Sequence, residues 1–201
     1  MKGLLLLSSG IDSPVAGRMM IDKGVEVIAL HFLLLDNKKE EKKVKDLAKK
    51  TDVKHLFFAD LRPCHEACKQ KGNARFTCVF CKRCMLRIAE RLAKKEKCDF
   101  LITGENLGQV ASQTLDNMAV INTVVKMKVL APLLSFDKND TVKLAKKYGT
   151  YDLSIKKSPG CPYLPRRPVT RAKLEKIEKQ EEWVGVDKLI EKNYKSIKQV
   201  F

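Results

Sequence analysis

The sequence predicts an α/β protein, a Rossmann-like parallel sheet of about five strands flanked by helices. Short apolar runs that end in turn residues have the unbroken hydrophobicity of strands buried on both faces. Longer segments with helical periodicity lie between them, and the two kinds alternate along the chain. Such alternation calls for right-handed crossovers and gathers ligands at the carboxyl ends of the strands.

Lys2 to Leu7 reads as the first strand, closed by the turn residues SSG. Ser13 to Lys23 follows as a helix, with Pro14 suited to a first helical position and Gly24 to the C-terminal cap. Val25 to Leu34 is a second buried strand. Glu40 to Lys50 is a helix that turns Val44, Leu47 and Ala48 inward, and His55 to Asp60 is a third strand. Cys64 and Cys68 fall in a loop. Cys81 to Lys95 is a helix with Met85, Ile88, Ala89 and Ala93 inward, and Phe100 to Thr103 is a fourth strand beside Cys98. The segment GENLGQVASQTLDNM supplies a loop and a helix, and Lys128 to Ala131 a fifth strand. From about residue 171 the chain is charged and helical. The expected organisation is one main domain over 1–170 with a helical appendage over 171–201.

A chain of 201 residues with 44% hydrophobic content can bury one sizeable core. Leu4 to Leu7 is too short for a signal sequence, and no stretch approaches a membrane span, so a soluble cytoplasmic protein without a membrane partner is expected. Forty Lys and Arg against 24 Asp and Glu leave a net charge of +16, which favours polyanionic partners and points first to nucleic acid. Seven cysteines in such a chain argue for metal or redox chemistry, because cytosolic thiols are kept reduced.

The segment LLSSGIDSPVA places small residues at the mouth of a strand, directly before a helix. Ser8, Ser9, Gly10 and Ser13 let backbone N–H groups approach an anion, and the helix dipole favours it. Asp12 is an acid where a bare phosphate would repel one. A carboxylate there makes sense if it holds a magnesium ion bridging phosphate oxygens.

This SxGxDS spacing resembles the PP-loop signature, SGGxDS, of enzymes that cleave ATP to AMP and pyrophosphate. Ser9 stands in place of the first glycine, which fits only if the position has a negative φ. With CKRCMLRIAERLAKKE, TGENLGQVASQTLDNM and PLLSFDKNDTVKLAKKYGTYDLS following in order, residues 2–170 resemble the catalytic domain of the tRNA 4-thiouridine synthetase (tRNA sulfurtransferase) family. The resemblance implies a PP-loop adenine nucleotide hydrolase-like fold and an enzyme that adenylates a uridine carbonyl oxygen and replaces it with sulfur, with tRNA as partner. It implies that Leu6, Leu7, His31 and Phe32 frame the adenosine, that Lys82, Gly104 and Gln113 complete the ATP pocket, and that Asp12 and Lys138 are the catalytic pair. Family members also carry a THUMP domain and often a rhodanese domain, and neither is in this sequence. The tRNA grip and the sulfur are therefore expected from a separate subunit or donor, a homodimer, or the basic surface.

The resemblance also makes Cys161, in GCPYLPRRPVT, the sulfur-handling cysteine, with Arg166 and Arg167 close in sequence to hold phosphates. Cys78 and Cys81 form CxxC before or at a helix N-terminus, a setting that lowers thiol pKa and suits metal ligation. Cys78, Cys81 and Cys161 are the expected ligands of an iron–sulfur cluster with one iron left open. Cys84 is a substitute ligand, or a fourth that would close the site and make it structural. A persulfide or disulfide relay and a structural Zn2+ are the alternatives, while Cys64, Cys68 and Cys98 read as bystanders. A PP-loop ligase acting on a small molecule, and a non-catalytic ATP-binding subunit of a multi-chain thiolation system, are the rival functions.

Overall fold

The structure is a computed structural model that describes all 201 residues. It opens with β1 (Lys2–Leu6), α1 (Asp12–Asp22), β2 (Glu26–Leu33), α2 (Lys38–Thr51) and β3 (Leu56–Asp60). Next come α3 (Arg62–Lys71), α4 (Thr77–Lys95), β4 (Phe100–Ile102), α5 (Leu115–Asn122) and β5 (Lys128–Leu130). The chain ends with α6 (Lys138–Lys147), α7 (Tyr151–Ser154), α8 (Leu174–Val184), α9 (Val186–Lys195) and β6 (Lys198–Gln199).

The six strands form one sheet in the order β5-β4-β1-β2-β3-β6. The first five are mutually parallel, with Leu5 paired to Ala29 on one side and to Ile102 on the other. Only β6 is antiparallel, pairing Phe57 with Gln199 and Phe58 with Lys198. After β3 the chain returns to the far side of β1, so the order reverses between β1 and β4. A crevice opens at such a point, beyond the carboxyl ends of the two strands.

Side chains alternate across the strands and build a core on each face. Leu4, Ile28, Leu30 and Phe57 face α3, α4, α8 and α9, whereas Leu5, Val27, Ala29 and Phe58 face α1, α2 and α6. Residues 171–201 take part in the first core through Ile177, Val184, Val186 and Ile190. At the end of α1, Gly24 has φ +79°, the left-handed value that favours glycine after a helix. Asn37 caps α2 by accepting from the backbone N–H groups of Lys39 and Glu40 at 3.0 and 3.1 Å.

Three expectations change. The segment with Cys64 and Cys68 is helical, because Pro63 pre-sets the first turn of α3 and Cys64, His65 and Cys68 form a buried stripe. Helix α4 starts at Thr77 and not at Cys81, which puts Cys78 in its first turn, at the N-terminus. Met85 packs only partly against the core and lines the crevice instead.

Candidate active site

Two cavities lie at the reversal point and share the turn after β1 as a wall. One, of about 280 Å³, is lined by Leu6, Leu7, His31 and Phe32 together with Glu40 from α2 and Cys161. The other, of about 250 Å³, is lined by Ser8, Gly10, Asp12, Lys82, Gly104 and Gln113. The residues expected to bind one nucleotide are thus brought together in two adjoining compartments.

The turn between β1 and α1 is held by its own side chains. Ser13 Oγ accepts from the Ser8 backbone N–H at 2.8 Å and lies 2.9 Å from Ser8 Oγ. The only non-glycine residues with positive φ are Asp52 and Lys97, so Ser9 adopts a conformation open to any side chain. Its departure from glycine costs nothing in backbone strain. No side chain caps α1, whose first-turn N–H groups therefore lack a side-chain acceptor.

Gly104 follows β4 and touches the start of α1. A Cβ there would lie 2.5 Å from the Ser13 backbone nitrogen and 2.6 Å from its Cα. Neither atom can move without separating α1 from β4. Gly104→Ala is expected to destabilise the fold by about 1–3 kcal/mol, the usual cost of overpacking. Urea unfolding checks this, and an unchanged midpoint would refute the close approach.

His31 is buried beneath the first cavity, its Nδ1 2.8 Å from the Leu7 carbonyl oxygen. Because a carbonyl only accepts, Nδ1 carries the proton and Nε2 is left as an acceptor. Burial lowers the His31 pKa and keeps the ring neutral, against the raising effect of the Leu7 bond. Asp12 and Lys138, 126 residues apart in sequence, meet with Lys138 Nζ 2.7 Å from Asp12 Oδ1. Gln109 stands 3.4 Å from the same ammonium, and Lys82 pairs with Glu105 at 2.5 Å. Glu40 Oε2, Thr103 Oγ1 and Gln113 Oε1 are buried without a hydrogen-bond partner, and all three residues line these cavities. Orphaned buried polar atoms are costly, which marks these walls as surfaces suited to a polar ligand.

The cysteines divide into two groups. Cys84 is fully buried and faces Cys64 in the core, and Cys68 sits against Thr77 and Gln180. Cys78 is half-buried, Cys81 is buried and Cys161 is exposed on the loop beyond α7. The Cys78 and Cys81 thiols are pushed above the usual range, first by burial and then by the neighbouring Cys161. Loss of solvation therefore outweighs the lowering expected from the helix N-terminus. Cys81 Sγ lies 3.1 Å from His65 Nε2, and the His65 ring stacks on Tyr163 with centroids 4.4 Å apart. Burial pushes the His65 pKa down to about 4, so this neighbour of Cys81 is uncharged at neutral pH. Arg166 and Arg167 lie on the same loop and are exposed. Cys98 packs into the core.

Glu40, Glu105, Gln109 and His65 escaped the sequence reading. Only TGEN and GQVASQT offered a signal, for Glu105 and Gln109, whereas Glu40 and His65 join the site through the fold alone.

No helix is long and apolar enough to cross a membrane. The chain is 43% identical over 189 residues to a probable tRNA sulfurtransferase of Methanocaldococcus jannaschii, covering 91% of this chain and 50% of that protein. To the probable tRNA sulfurtransferase of Halothermothrix orenii it is 44% identical over 193 residues, covering 90% and 48%. The chain thus spans about half the length of the relatives it matches. The crystal structure of a 4-thiouridine synthetase–RNA complex with bound ATP superposes with a TM-score of 0.92 at 34% identity, covering 98% of this chain and 54% of that one. NMN synthetase from Francisella tularensis, at 14% identity and a TM-score of 0.61 over 92% of this chain and 84% of its own, shares the fold. Residues 1–186 match the family described as thiamine biosynthesis protein (ThiI), and the chain belongs to that family.

Proposed function

We propose that this protein is an ATP-dependent tRNA sulfurtransferase that converts a uridine to 4-thiouridine, with residues 1–170 as the catalytic domain and 171–201 as its helical appendage. The observation that carries the reading is the meeting of Asp12 and Lys138 at a preformed phosphate turn, beside cavities lined by unpartnered polar atoms. Relatives named as probable tRNA sulfurtransferases and the RNA- and ATP-bound neighbour support the acceptor and the nucleotide. The +16 charge supports a polyanionic substrate, and seven free thiols suit the cytoplasm.

In this reading the adenosine takes the cavity under Leu6, Leu7, His31 and Phe32, and the phosphates lie along Ser8, Ser9, Gly10 and Ser13. Lys82, Gly104 and Gln113 close the second side. Asp12 is a hard oxygen donor at the uncapped end of α1 and fits Mg2+, which when bound neutralises triphosphate charge. Lys138 stabilises charge developing between the α- and β-phosphates. The uracil carbonyl oxygen bonds to the α-phosphorus as pyrophosphate leaves. Hydrosulfide then adds at the activated carbon and AMP leaves. ATP, uridine and hydrosulfide thus give 4-thiouridine, AMP and pyrophosphate.

Cys78, Cys81 and Cys161 fit an iron–sulfur cluster by donor chemistry, since all three are thiols and Cys161 lies close enough to raise the pKa of the other two. No three His, Cys, Asp or Glu side chains stand at metal-binding spacing in the structure, so the Cys161 loop would have to close on α4. Cys84 faces the core and we leave it out of the ligand set. A cluster would supply an open iron to hold sulfide. A persulfide on Cys161 is the second reading, favoured by the exposure of that thiol.

The test is pyrophosphate release and 4-thiouridine formation with ATP, Mg2+, sulfide and a tRNA transcript. Release that depends on tRNA is expected. Pyrophosphate formed with free ammonia or a small sulfur acceptor and not with tRNA would favour the small-molecule ligase. Absence of all turnover would favour the non-catalytic subunit. Anaerobic iron and sulfide analysis decides the cofactor, and iron should be lost in Cys78→Ala, Cys81→Ala and Cys161→Ala but retained in Cys84→Ala.

A further inference from the structure

Lys43 is a lysine in an unusual position. It lies in the middle of α2 and is only 8% exposed, although lysine is rarely buried without a partner. No carboxylate pairs with it. Its ammonium instead donates to the Ser154 carbonyl at 2.9 Å, the Lys156 carbonyl at 2.7 Å and Ser158 Oγ at 3.0 Å. Three donors meet three acceptors, so the ammonium's hydrogen bonds are all made by one short stretch of chain more than a hundred residues away, while Glu40 on the same helix supplies a favourable field without pairing with it.

That stretch is the segment linking α7 to Cys161. Ser158, Pro159, Gly160 and Cys161 together form one side of the first cavity. Ser158 Oγ also stands 3.5 Å from Ser9 Oγ in the phosphate turn. A line of contacts thus runs from α2 through Lys43 to Ser158 and on to Ser9. Between the end of α7 and the Tyr163 ring stacked on His65, the contacts through Lys43 and Ser9 are what tie this segment to the body of the fold, and Cys161 within it is exposed.

We propose that Lys43 is a positioning residue that fixes the Cys161 loop against the phosphate turn and so sets the distance between the sulfur-handling thiol and the reacting nucleotide. The proposal deepens the sulfurtransferase reading and rests on it. Arginine keeps the charge and several donors, whereas methionine fills the same volume and leaves three acceptors unbonded. The orphaned carbonyls would turn to water and carry the loop outward. Ser9 has a role here that a glycine at that position could not supply, because only its hydroxyl reaches Ser158.

Two readouts separate this role from a merely structural one. The first is the rate of Cys161 alkylation by iodoacetamide in the folded chain, followed at the Cys161 peptide by mass spectrometry. Lys43→Met should change that rate about tenfold or more, and Lys43→Arg should stay near the parent. The second is turnover with ATP, sulfide and tRNA transcript. Lys43→Met should lower 4-thiouridine formation about 10- to 100-fold, the size of effect a misplacement of about 1 Å produces, with pyrophosphate release changed less than about threefold. Ser158→Ala, which removes one acceptor and leaves Lys43 in place, should change the alkylation rate in the same direction and more weakly.

Parallel loss of both activities, or an unchanged alkylation rate, overturns the proposal. If Lys43→Met fails to fold, Ser158→Ala decides by the alkylation rate alone, and an unchanged rate there overturns the proposal. A parent chain that forms no 4-thiouridine sinks the sulfurtransferase reading, while the alkylation rates still report whether Lys43 holds the loop.

Discussion

Replacing Lys138 by methionine is expected to lower the rate of pyrophosphate release by about 10²–10³, with the KM for ATP changed only a few-fold. Lys138 opens α6 while Asp12 opens α1, and the two meet at 2.7 Å with Lys138 Nζ also near Gln109. The pairing keeps the ammonium beside the phosphate turn. An ammonium held where negative charge develops acts mainly on the transition state, and loss of one such donor typically costs about 3–4 kcal/mol there. Steady-state kinetics with a fixed tRNA transcript check this. A rate within threefold of the parent would remove Lys138 from the catalytic pair, and a rise in KM alone would make it a binding residue.

Glu181→Gln is expected to cost about 3–5 kcal/mol of stability, the usual result of stripping one partner from a buried charged group. Arg83 is 1% exposed, and its Nε and Nη2 donate to the two Glu181 oxygens at 2.6 and 2.9 Å. Arg87 adds two more donors to the same carboxylate, both at 2.7 Å. Burial alone would raise the Glu181 pKa, but the bonds from Arg87 and Arg83 outweigh it and hold the carboxyl below the usual range. The sign of the pH dependence follows. A depressed folded pKa gives stability that is fully present above the ordinary glutamate value of about 4.3 and fades as the pH falls through the folded one. Urea titrations at neutral and acid pH read both effects. A double variant, Arg83→Met with Glu181→Leu, should lose less than the sum of the two single changes, because it strands only Arg87, whereas Glu181→Leu alone strands both arginines. Additive losses would show that the triad does not act as a unit.

The strands were readable because the apolar runs of β1 to β4 are buried on both faces, leaving no polar alternation to confuse their period. Strand β6 was not, since two residues carry no periodicity and pairing to β3 alone defines it. The Cys64 and Cys68 segment looked like a loop because its buried stripe consists of cysteine and histidine, which carry little weight as hydrophobic markers. At the site, residues within SSGIDS could be placed from sequence because strand, turn and helix there are consecutive. The Asp12 and Lys138 pair spans 126 residues and came only through family resemblance. The burial that raises the thiols of Cys78 and Cys81 was invisible, because their neighbours Cys161, Cys64 and His65 are all distant in sequence.

The antiparallel strand β6 has a consequence for association. Unpaired strand edges invite pairing with another sheet, and short, lysine-bearing edges discourage it. Here the edge of β3 is covered by β6, itself two residues long and carrying Lys198, and the opposite edge is β5, three residues that begin with Lys128. Neither border is long or apolar enough to add a partner's strand. Two copies of this chain, or this chain and another subunit, would therefore meet through helices and loops, and sheet extension at this border would first require β6 to leave the edge of β3.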